Sequence, residues 1–131
     1  MITKNLLAVR ESYAASARGD VAGVLAALAP DARWTEMAGF PCAGTYVGPD
    51  EVLKGVFARL GEEWEGFAAE PEEYVDAGDV IVVIGVYRGV YRATGKAMQA
   101  RFTHVWKLYD GTVIGFEQFT DTLLVARAMQ P

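Results

Sequence analysis

Three side chains have the chemistry of general acids and bases: Glu36, His104 and Asp121. A carboxylate or an imidazole can take a proton from one atom and return it to another when its pKa is near the working pH. Each also has a plainer interpretation. A strand-end carboxylate is usually solvated, a lone histidine in a strand is usually a satisfied core residue, and an aspartate can cap a turn of the chain. We treat all three as candidate catalytic residues.

Aromatic side chains make up 11% of the chain and could line a pocket for a flat, apolar molecule. Trp34 is the first candidate, because it stands two residues before Glu36 and therefore on the same face of a strand. Trp106 and Phe119 are further candidates in later strands. Most of the other aromatic residues are expected to fill the core.

No residue pattern in the sequence supports metal binding, nucleotide binding or catalysis through a covalent intermediate. The single histidine and the single cysteine, Cys42, are far apart in sequence, so we expect neither a metal site nor a cofactor. The sequence has no phosphate loop, serine elbow or dinucleotide fingerprint. Cys42 has no basic neighbour in sequence that would make it a nucleophile, and one cysteine cannot form an internal disulfide, which favours a cytoplasmic location.

The composition predicts one globular domain over residues 1–131, since a chain of 131 residues that is 52% hydrophobic can bury a core and a modest pocket. Its 17 acidic residues outnumber its 12 basic residues, for a net charge of −5, so neither nucleic acid nor a membrane is an expected partner. The longest apolar run, 80–87, is far shorter than the roughly 20 residues of a membrane-spanning helix.

Hydrophobic periodicity predicts mostly helices in the first half of the chain and strands in the second. The predicted helices are 3–18, 21–29 and about 49–61. The predicted strands are 32–37, 65–77, 80–92, 97–108 and 112–121. A loop is expected over 39–48, and 122–129 is either a strand end or a short helix. Helices followed by a meander of strands indicate an α+β fold.

The strand 97–108 places His104 and Trp106 on one face and Thr103 on the other. A hairpin turn at Asp110-Gly111 pairs residues whose numbers add up to about 221, which sets His104 opposite Glu117 and at best diagonal to the aspartate at the end of the last strand. The sequence leaves open which face of this strand is concave.

Several short motifs occur together in the order and spacing of one superfamily. They are Tyr13, Gly19-Asp20, Ala29-Pro30-Asp31-Ala32, Trp34, Glu36, Gly44-Thr45-Tyr46-Val47-Gly48, Gly78-Asp79, Thr94-Gly95-Lys96, His104-Val105-Trp106, Asp110-Gly111 and Asp121. Through these motifs, nearly the whole chain resembles the cone-shaped α+β superfamily of nuclear transport factor two, ketosteroid isomerase, limonene-epoxide hydrolase and the SnoaL-like polyketide cyclases.

This resemblance implies a curved antiparallel sheet that wraps around N-terminal helices and encloses an apolar pocket. Members of the superfamily commonly pair through their sheets, so the resemblance also implies a homodimer.

The resemblance implies roles for particular residues as well. Glu36 resembles the general base of the isomerases in its placement, and Tyr13 and Thr103 occupy positions like those of the groups that bind the substrate oxygen there. Asp121 stands where the epoxide hydrolases and SnoaL-like cyclases have an acid/base aspartate, and Arg101 is the nearest basic residue.

We therefore predict a small-molecule-binding protein of the SnoaL-like class. It would act as a cofactor-independent isomerase, cyclase or hydrolase, by proton transfer on an apolar carbonyl or polycyclic substrate. The alternative is a non-catalytic ligand-binding or dimerisation module. The enzyme hypothesis predicts a carboxylate with a raised pKa inside an apolar cavity. The non-catalytic hypothesis predicts that the carboxylates are solvated.

Overall fold

A six-stranded sheet forms a wall against which the helices pack. The computed structural model describes residues 2–131. The helices are α1 (Lys4–Ala17), α2 (Val21–Leu25), α3 (Gly48–Val52), α4 (Ala58–Glu63) and α5 (Thr122–Met129), and a π-helical turn (Leu53–Phe57) joins α3 to α4. The strands are β1 (Leu28–Glu36), β2 (Gly44–Val47), β3 (Trp64–Asp76), β4 (Val80–Tyr91), β5 (Lys96–Tyr109) and β6 (Thr112–Thr120). Within residues 2–131, no helix is both long enough and apolar enough to cross a membrane.

The strand order is β2-β1-β6-β5-β4-β3, and only β1 and β6 run parallel to each other. Breaks in register between β1 and β6, between β3 and β4 and between β5 and β6 mark bulges, which bend a sheet. The sheet is curved and unclosed, so the predicted α+β cone is confirmed. One detail is corrected: the sheet is mixed rather than purely antiparallel, because β1 pairs with the last strand of the chain.

Pro30 lies inside β1, which corrects the prediction of a helix over 21–29. Helix α2 ends at Leu25 and β1 begins at Leu28. The pairing of β1 with β6 jumps from Leu28 to Arg33, so Pro30 occupies a stretch in which no ladder hydrogen bond requires its missing N–H. A proline that would end a helix is therefore accommodated at an irregularity in a strand.

The predicted loop 39–48 contains the short strand β2, which pairs with the end of β1. The next helical segment begins at Gly48 and passes through the π-helical turn. A side chain on Gly55, in this turn, would overlap the ring of Tyr46 on β2. The missing side chain therefore lets the helical segment pack closely against the edge of the sheet.

A bulge in β6 changes the partner of His104. The pairing begins as predicted, with Leu108 opposite Val113, and then shifts by one residue. His104 is consequently opposite Gln118 and not opposite Glu117, as the turn alone predicted. The shift places a buried amide instead of a carboxylate beside the histidine.

The concave face of the sheet is the aromatic face of β5. Phe102, His104 and Trp106 are buried there, while Thr103 is half-buried on the opposite face. Helix α1 covers the concave face and buries Tyr13 against it. The structure thus decides the orientation that the alternation of residues left open.

Gly85 interrupts the long apolar run of β4 because a larger residue does not fit. A Cβ atom at this position would lie 2.6 Å from Cζ of Phe102 and would overlap the carbonyl oxygen of Glu70. We expect Gly85→Ala to lower the free energy of unfolding by about 1–3 kcal/mol, the usual range for overpacking a filled core. Urea denaturation measures this change.

The matched control is Gly61→Ala. Gly61 is in α4, and the space around its missing Cβ is open. Alanine should therefore raise the free energy of unfolding there by about 0.5–1 kcal/mol, because it favours the helix and restricts the unfolded chain. A Gly85→Ala variant as stable as the parent protein would contradict the tight packing at this position.

Candidate functional site

A cavity of about 340 Å³ lies between the helices and the concave face of the sheet. This volume falls within the usual range for small-molecule sites, and the lining is mostly aromatic and aliphatic. All three tryptophans of the chain, Trp34, Trp64 and Trp106, contribute to it. The tryptophans and the neighbouring aromatic rings give the cavity the flat, apolar walls that suit a ring system.

The cavity has a solvated mouth and a buried interior. Exposed residues on the lining include Ser16, Gly61 and Arg92, which mark the mouth. Glu36 and His104 are lining residues with only 5% exposure each, and they mark the interior. Among the lining residues, Glu36 and Arg92 are the only ones of the Asp, Glu, Lys and Arg types. The interior therefore holds a single carboxyl group.

Glu36 is the last residue of β1, where the strand delivers its side chain into the cavity. Burial raises the pKa of Glu36 to about 8. The indole N–H of Trp34 is near the carboxyl group and offsets a part of this rise, although the two groups do not reach hydrogen-bond geometry. The Oε2 atom of Glu36 has no hydrogen-bond partner within the protein. This carboxyl group therefore titrates in the range in which an acid/base catalyst is most effective.

His104 is held between two tyrosine hydroxyls. Its Nδ1 atom is 2.6 Å from the hydroxyl of Tyr13, on α1, and its Nε2 atom is 2.6 Å from the hydroxyl of Tyr87, on β4. Burial lowers the pKa of His104 to about 3, so the ring is neutral at physiological pH. The ring is fixed further by stacking on Phe102 at 4.0 Å between centroids.

Each tyrosine has a second hydrogen bond at its outer side. The indole N–H of Trp106 donates to the hydroxyl of Tyr13 at 3.0 Å, and the side-chain amide of Gln118 donates to the hydroxyl of Tyr87 at 3.2 Å. These five residues form one buried polar row, which we call the Tyr–His–Tyr row. Only its central residue, His104, is charged in any common protonation state, and burial suppresses that charge.

Sequence reasoning missed Tyr87 and Gln118. Tyr87 was hidden in the apolar run of β4, although it shares a strand face with Gly85, whose missing side chain marks a crowded inner surface. Gln118 is fully buried and its role depends on the one-residue shift in β6, which no local signal in the sequence indicated.

Three buried side-chain polar atoms of residues 2–131 have no hydrogen-bond partner, and all three belong to cavity residues. They are Nε1 of Trp34, Nε1 of Trp64 and Oε2 of Glu36. Buried polar groups are normally paired, so unpaired groups confined to one cavity indicate a place for an external partner. Two of the three are N–H donors, which suits a partner with oxygen acceptors.

The structure does not bring the remaining predicted site residues to this cavity. Asp121 is exposed and caps α5, where its side chain accepts a hydrogen bond from the Leu124 amide at 3.2 Å. The exposed Arg101 pairs with Glu72 at 3.0 Å. The position of Asp121 follows from where β6 ends, because the chain turns there into a helix that needs a cap. Arg101 lies on β5 and is exposed because it alternates with the buried residues Ala100 and Phe102.

Thr103 and Phe119 are also directed away from the cavity. They are opposite each other on β5 and β6, and both are on the convex face of the sheet. The group that enters the cavity from this part of β5 is His104. Successive side chains of a strand point to opposite faces, so Thr103 cannot face the cavity when His104 does.

Cys42 is completely buried beside the cavity residues, and burial raises the pKa of its thiol to about 12. A thiol in this state is a poor nucleophile. Within residues 2–131, no group of three or more His, Cys, Asp and Glu side chains is arranged to hold a metal ion.

The family model of the SnoaL-like domain matches residues 9–116, which is most of the chain. The chain belongs to the SnoaL-like domain family. The resemblance predicted from the sequence motifs is thereby confirmed. This family has the fold of small-molecule-binding proteins and of isomerase- and cyclase-type proteins.

Solved structures agree with this assignment. An NTF2-like protein from Burkholderia thailandensis is 53% identical over 100% of both chains, with a TM-score of 0.95. An NTF2-like protein of unknown function from Burkholderia pseudomallei is 35% identical, over 99% of this chain and 100% of that one, with a TM-score of 0.91. TerC, co-crystallised with polyporic acid, is 26% identical, over 98% of this chain and 100% of its own, with a TM-score of 0.87. No curated protein matches this SnoaL-like domain.

The raised pKa of Glu36 makes the stability of the fold depend on pH. Below pH 4.5, the ordinary value, folded and unfolded chains both carry the proton, and between pH 4.5 and about 8 only the folded chain keeps it. In this window the free energy of unfolding should fall by about 1.4 kcal/mol per pH unit through this group. The lowered pKa of His104 gives an opposite slope up to pH 6.5. Urea denaturation at several pH values therefore measures the Glu36 contribution as the difference in slope between the parent protein and a variant without this carboxyl group.

Glu36→Gln removes the titrating group, so this variant should gain stability relative to the parent as the pH rises from about 5 to about 8. Glu117→Gln, at an exposed position on β6, is the control and should retain the parent's slope. Parallel pH profiles for the parent and Glu36→Gln would show that Glu36 is ionised in the folded protein at all these pH values.

Proposed function

We propose that this SnoaL-like domain is a cofactor-independent enzyme that moves a proton on an apolar carbonyl or polycyclic substrate, with Glu36 as the acid/base group. The observation that carries this proposal is a single carboxyl group, with its pKa raised to about 8, inside an aromatic cavity. This is the feature that the enzyme hypothesis required and that a non-catalytic module does not need.

The proposed reaction uses the ionised form of Glu36. The carboxylate takes a proton from a carbon beside the substrate carbonyl, and the electron pair of that C–H bond moves toward the carbonyl oxygen as an enolate forms. A tyrosine hydroxyl, from Tyr13 or Tyr87, stabilises the enolate oxygen by donating a hydrogen bond. Glu36 then returns the proton to another carbon or leaves it on the oxygen, so no net proton is gained or lost.

His104 has a supporting role in this proposal. Its pKa of about 3 makes it too weak a base to hold a proton at neutral pH, so it positions the two tyrosines instead of transferring the substrate proton. Asp121, Arg101, Thr103 and Phe119 have no part in it, since they lie outside the cavity.

In the non-catalytic alternative, the cavity binds a ligand and Glu36 transfers no proton. The likeness to TerC, which was co-crystallised with polyporic acid, is compatible with either hypothesis, because binding alone requires no acid/base group. The unpaired carboxyl oxygen of Glu36 favours the enzyme, since a buried ionisable group without a partner destabilises the fold, and a role in catalysis accounts for its presence.

Deuterium exchange tests the proton transfer directly. The probe is 2-tetralone, an apolar bicyclic ketone with acidic C–H groups beside its carbonyl, and NMR in D₂O measures the loss of these protons. We expect the protein to accelerate exchange, and Glu36→Gln to reduce the accelerated rate by roughly a hundredfold or more, because general acid–base catalysis typically contributes 10²–10⁴-fold. The protein-catalysed rate should rise with pH and level off above about pH 8, as Glu36 ionises.

Asp121→Asn is the control carboxylate variant, since its side chain is exposed and an asparagine also caps helices. Its exchange rate should match that of the parent protein within about twofold. Exchange at the parent rate in Glu36→Gln would exclude Glu36 as the base, and no acceleration by the parent protein would favour the binding module for this class of ketone.

A cytoplasmic location remains a prediction.

We also infer a homodimer formed through the convex face of the sheet. Val82, Ile84, Val105 and Phe119 form an apolar patch on that face, and Phe119 is 41% exposed. We expect Phe119→Arg to shift the sedimentation coefficient to that of a monomer. Leu7→Arg, at an exposed position on α1, should leave the dimer intact. A monomeric parent protein at high concentration would contradict this inference.

A further inference from the structure

The outer hydrogen bonds of the Tyr–His–Tyr row have a fixed direction. The indole N–H of Trp106 can only donate, so the Tyr13 hydroxyl oxygen accepts from it. The backbone N–H of Met37 donates to Oε1 of Gln118 at 3.2 Å, and this contact fixes the orientation of the amide. The Gln118 NH₂ group therefore faces Tyr87, and the Tyr87 hydroxyl oxygen accepts from it as well.

The two hydrogen bonds of His104 with the tyrosines leave one of the available protons without an acceptor. A neutral imidazole carries one N–H and one bare nitrogen, and each tyrosine carries one O–H. The two contacts of His104 with Tyr13 and Tyr87 use one proton each, whereas the three groups together supply three. The nitrogen that bears hydrogen donates to its tyrosine, so the O–H of that same tyrosine is the unused donor.

The unused O–H has no acceptor inside the protein. Among residues 2–131, the hydroxyls of Tyr13 and Tyr87 have no partners other than His104, Trp106 and Gln118. Both tyrosines line the cavity, so an acceptor can reach this donor from there. Burial raises the pKa of both phenols well above the ordinary value, so both keep their protons.

We propose that the Tyr–His–Tyr row presents a single spare hydroxyl donor to the cavity, and that the tautomer of His104 selects whether Tyr13 or Tyr87 provides it. This proposal deepens the proposed function, on which its choice of ligand rests. His104 is then a positioning residue that acts through the tyrosines. Changing the tautomer does not require the stacked ring to turn. Nδ1 gives its proton to Tyr13, Tyr87 gives its proton to Nε2, and the surplus proton of Tyr13 returns to Tyr87 by exchange with solvent.

The spare donor defines the kind of ligand that fits the interior. Together with the unpaired N–H groups of Trp34 and Trp64, it makes the cavity rich in donors. The matching ligand is an aromatic or polycyclic molecule with oxygen acceptors, such as a ketone, a quinone or an enolate. A hydrocarbon of the same shape would leave these donors unpaired and bind more weakly.

The tautomer can be read in the ligand-free protein by ¹⁵N NMR, because His104 is the only histidine and every imidazole signal belongs to it. At neutral pH we expect one protonated and one bare ring nitrogen in each molecule, with both tautomers populated in the parent protein. Tyr13→Phe should favour hydrogen on Nε2, and Tyr87→Phe hydrogen on Nδ1, since a buried N–H is the group least tolerated without a partner. The two variants thus carry opposite tautomers.

Tyr46→Phe is the control, because the Tyr46 hydroxyl donates to the Cys42 carbonyl and does not contact the row. Its histidine signals should match those of the parent protein. The same tautomer in both Tyr13→Phe and Tyr87→Phe would overturn the proposal. So would two protonated ring nitrogens in the parent protein at neutral pH.

A ligand measurement separates this proposal from the proposed function. Polyporic acid is the probe, and quenching of the cavity tryptophans reports its binding. Bound polyporic acid should convert the histidine signals to those of one tautomer, and binding without any change in them would overturn the coupling of the row to the ligand. Failure of polyporic acid to bind would count against the proposed ligand class alone, because the tautomers of the two variants are measured without ligand.

Discussion

The Tyr–His–Tyr row is the interaction on which the arrangement of this protein depends. It joins α1 to the three central strands of the sheet, because Tyr13 comes from the helix, Tyr87 from β4, His104 and Trp106 from β5, and Gln118 from β6. The backbone N–H of Met37, the residue after β1, donates a hydrogen bond to the side-chain oxygen of Gln118 in this row. Since each buried polar group needs its partners, the helix can sit over the concave face in few ways, and the cavity lies beside the row.

Burial shifts the pKa values of Glu36 and His104 in opposite directions, and both shifts favour the neutral form of the side chain. It disfavours charge, so it raises the pKa of Glu36 to about 8 and lowers that of His104 to about 3. Both groups are mainly neutral at physiological pH, and the difference lies in their partners. His104 has a tyrosine at each nitrogen, whereas Glu36 retains an unpaired oxygen and is therefore the group that remains free for chemistry.

Much of the fold could be predicted from the sequence, because it depends on local patterns. The apolar periodicity of α1, the alternation of β5 and the turn at Asp110-Gly111 each act over a few residues. The errors occurred where distant segments decide the outcome. Pro30 lies in a strand because β1 joins β6, the last strand in the chain, and Gln118 reaches His104 because a bulge shifts β6 by one residue. For the site, the spacing of Trp34 and Glu36 put them on one strand face, and the family resemblance singled out Glu36 and Tyr13. The concave position of Trp106 and the convex position of Thr103 and Phe119 required the curvature of the sheet.

The sequence by itself determined the α+β order of elements, the absence of a histidine–cysteine metal pattern and the small set of acids and bases that could act. Only the tertiary structure decided among them, and it selected Glu36 for the cavity and Asp121 for a helix cap. The physical reason is that a side chain's pKa and reactivity depend on its solvation and its neighbours. Both are properties of the folded surroundings, to which distant parts of the chain contribute, and neither can be read from the residue's type or from its place in the sequence.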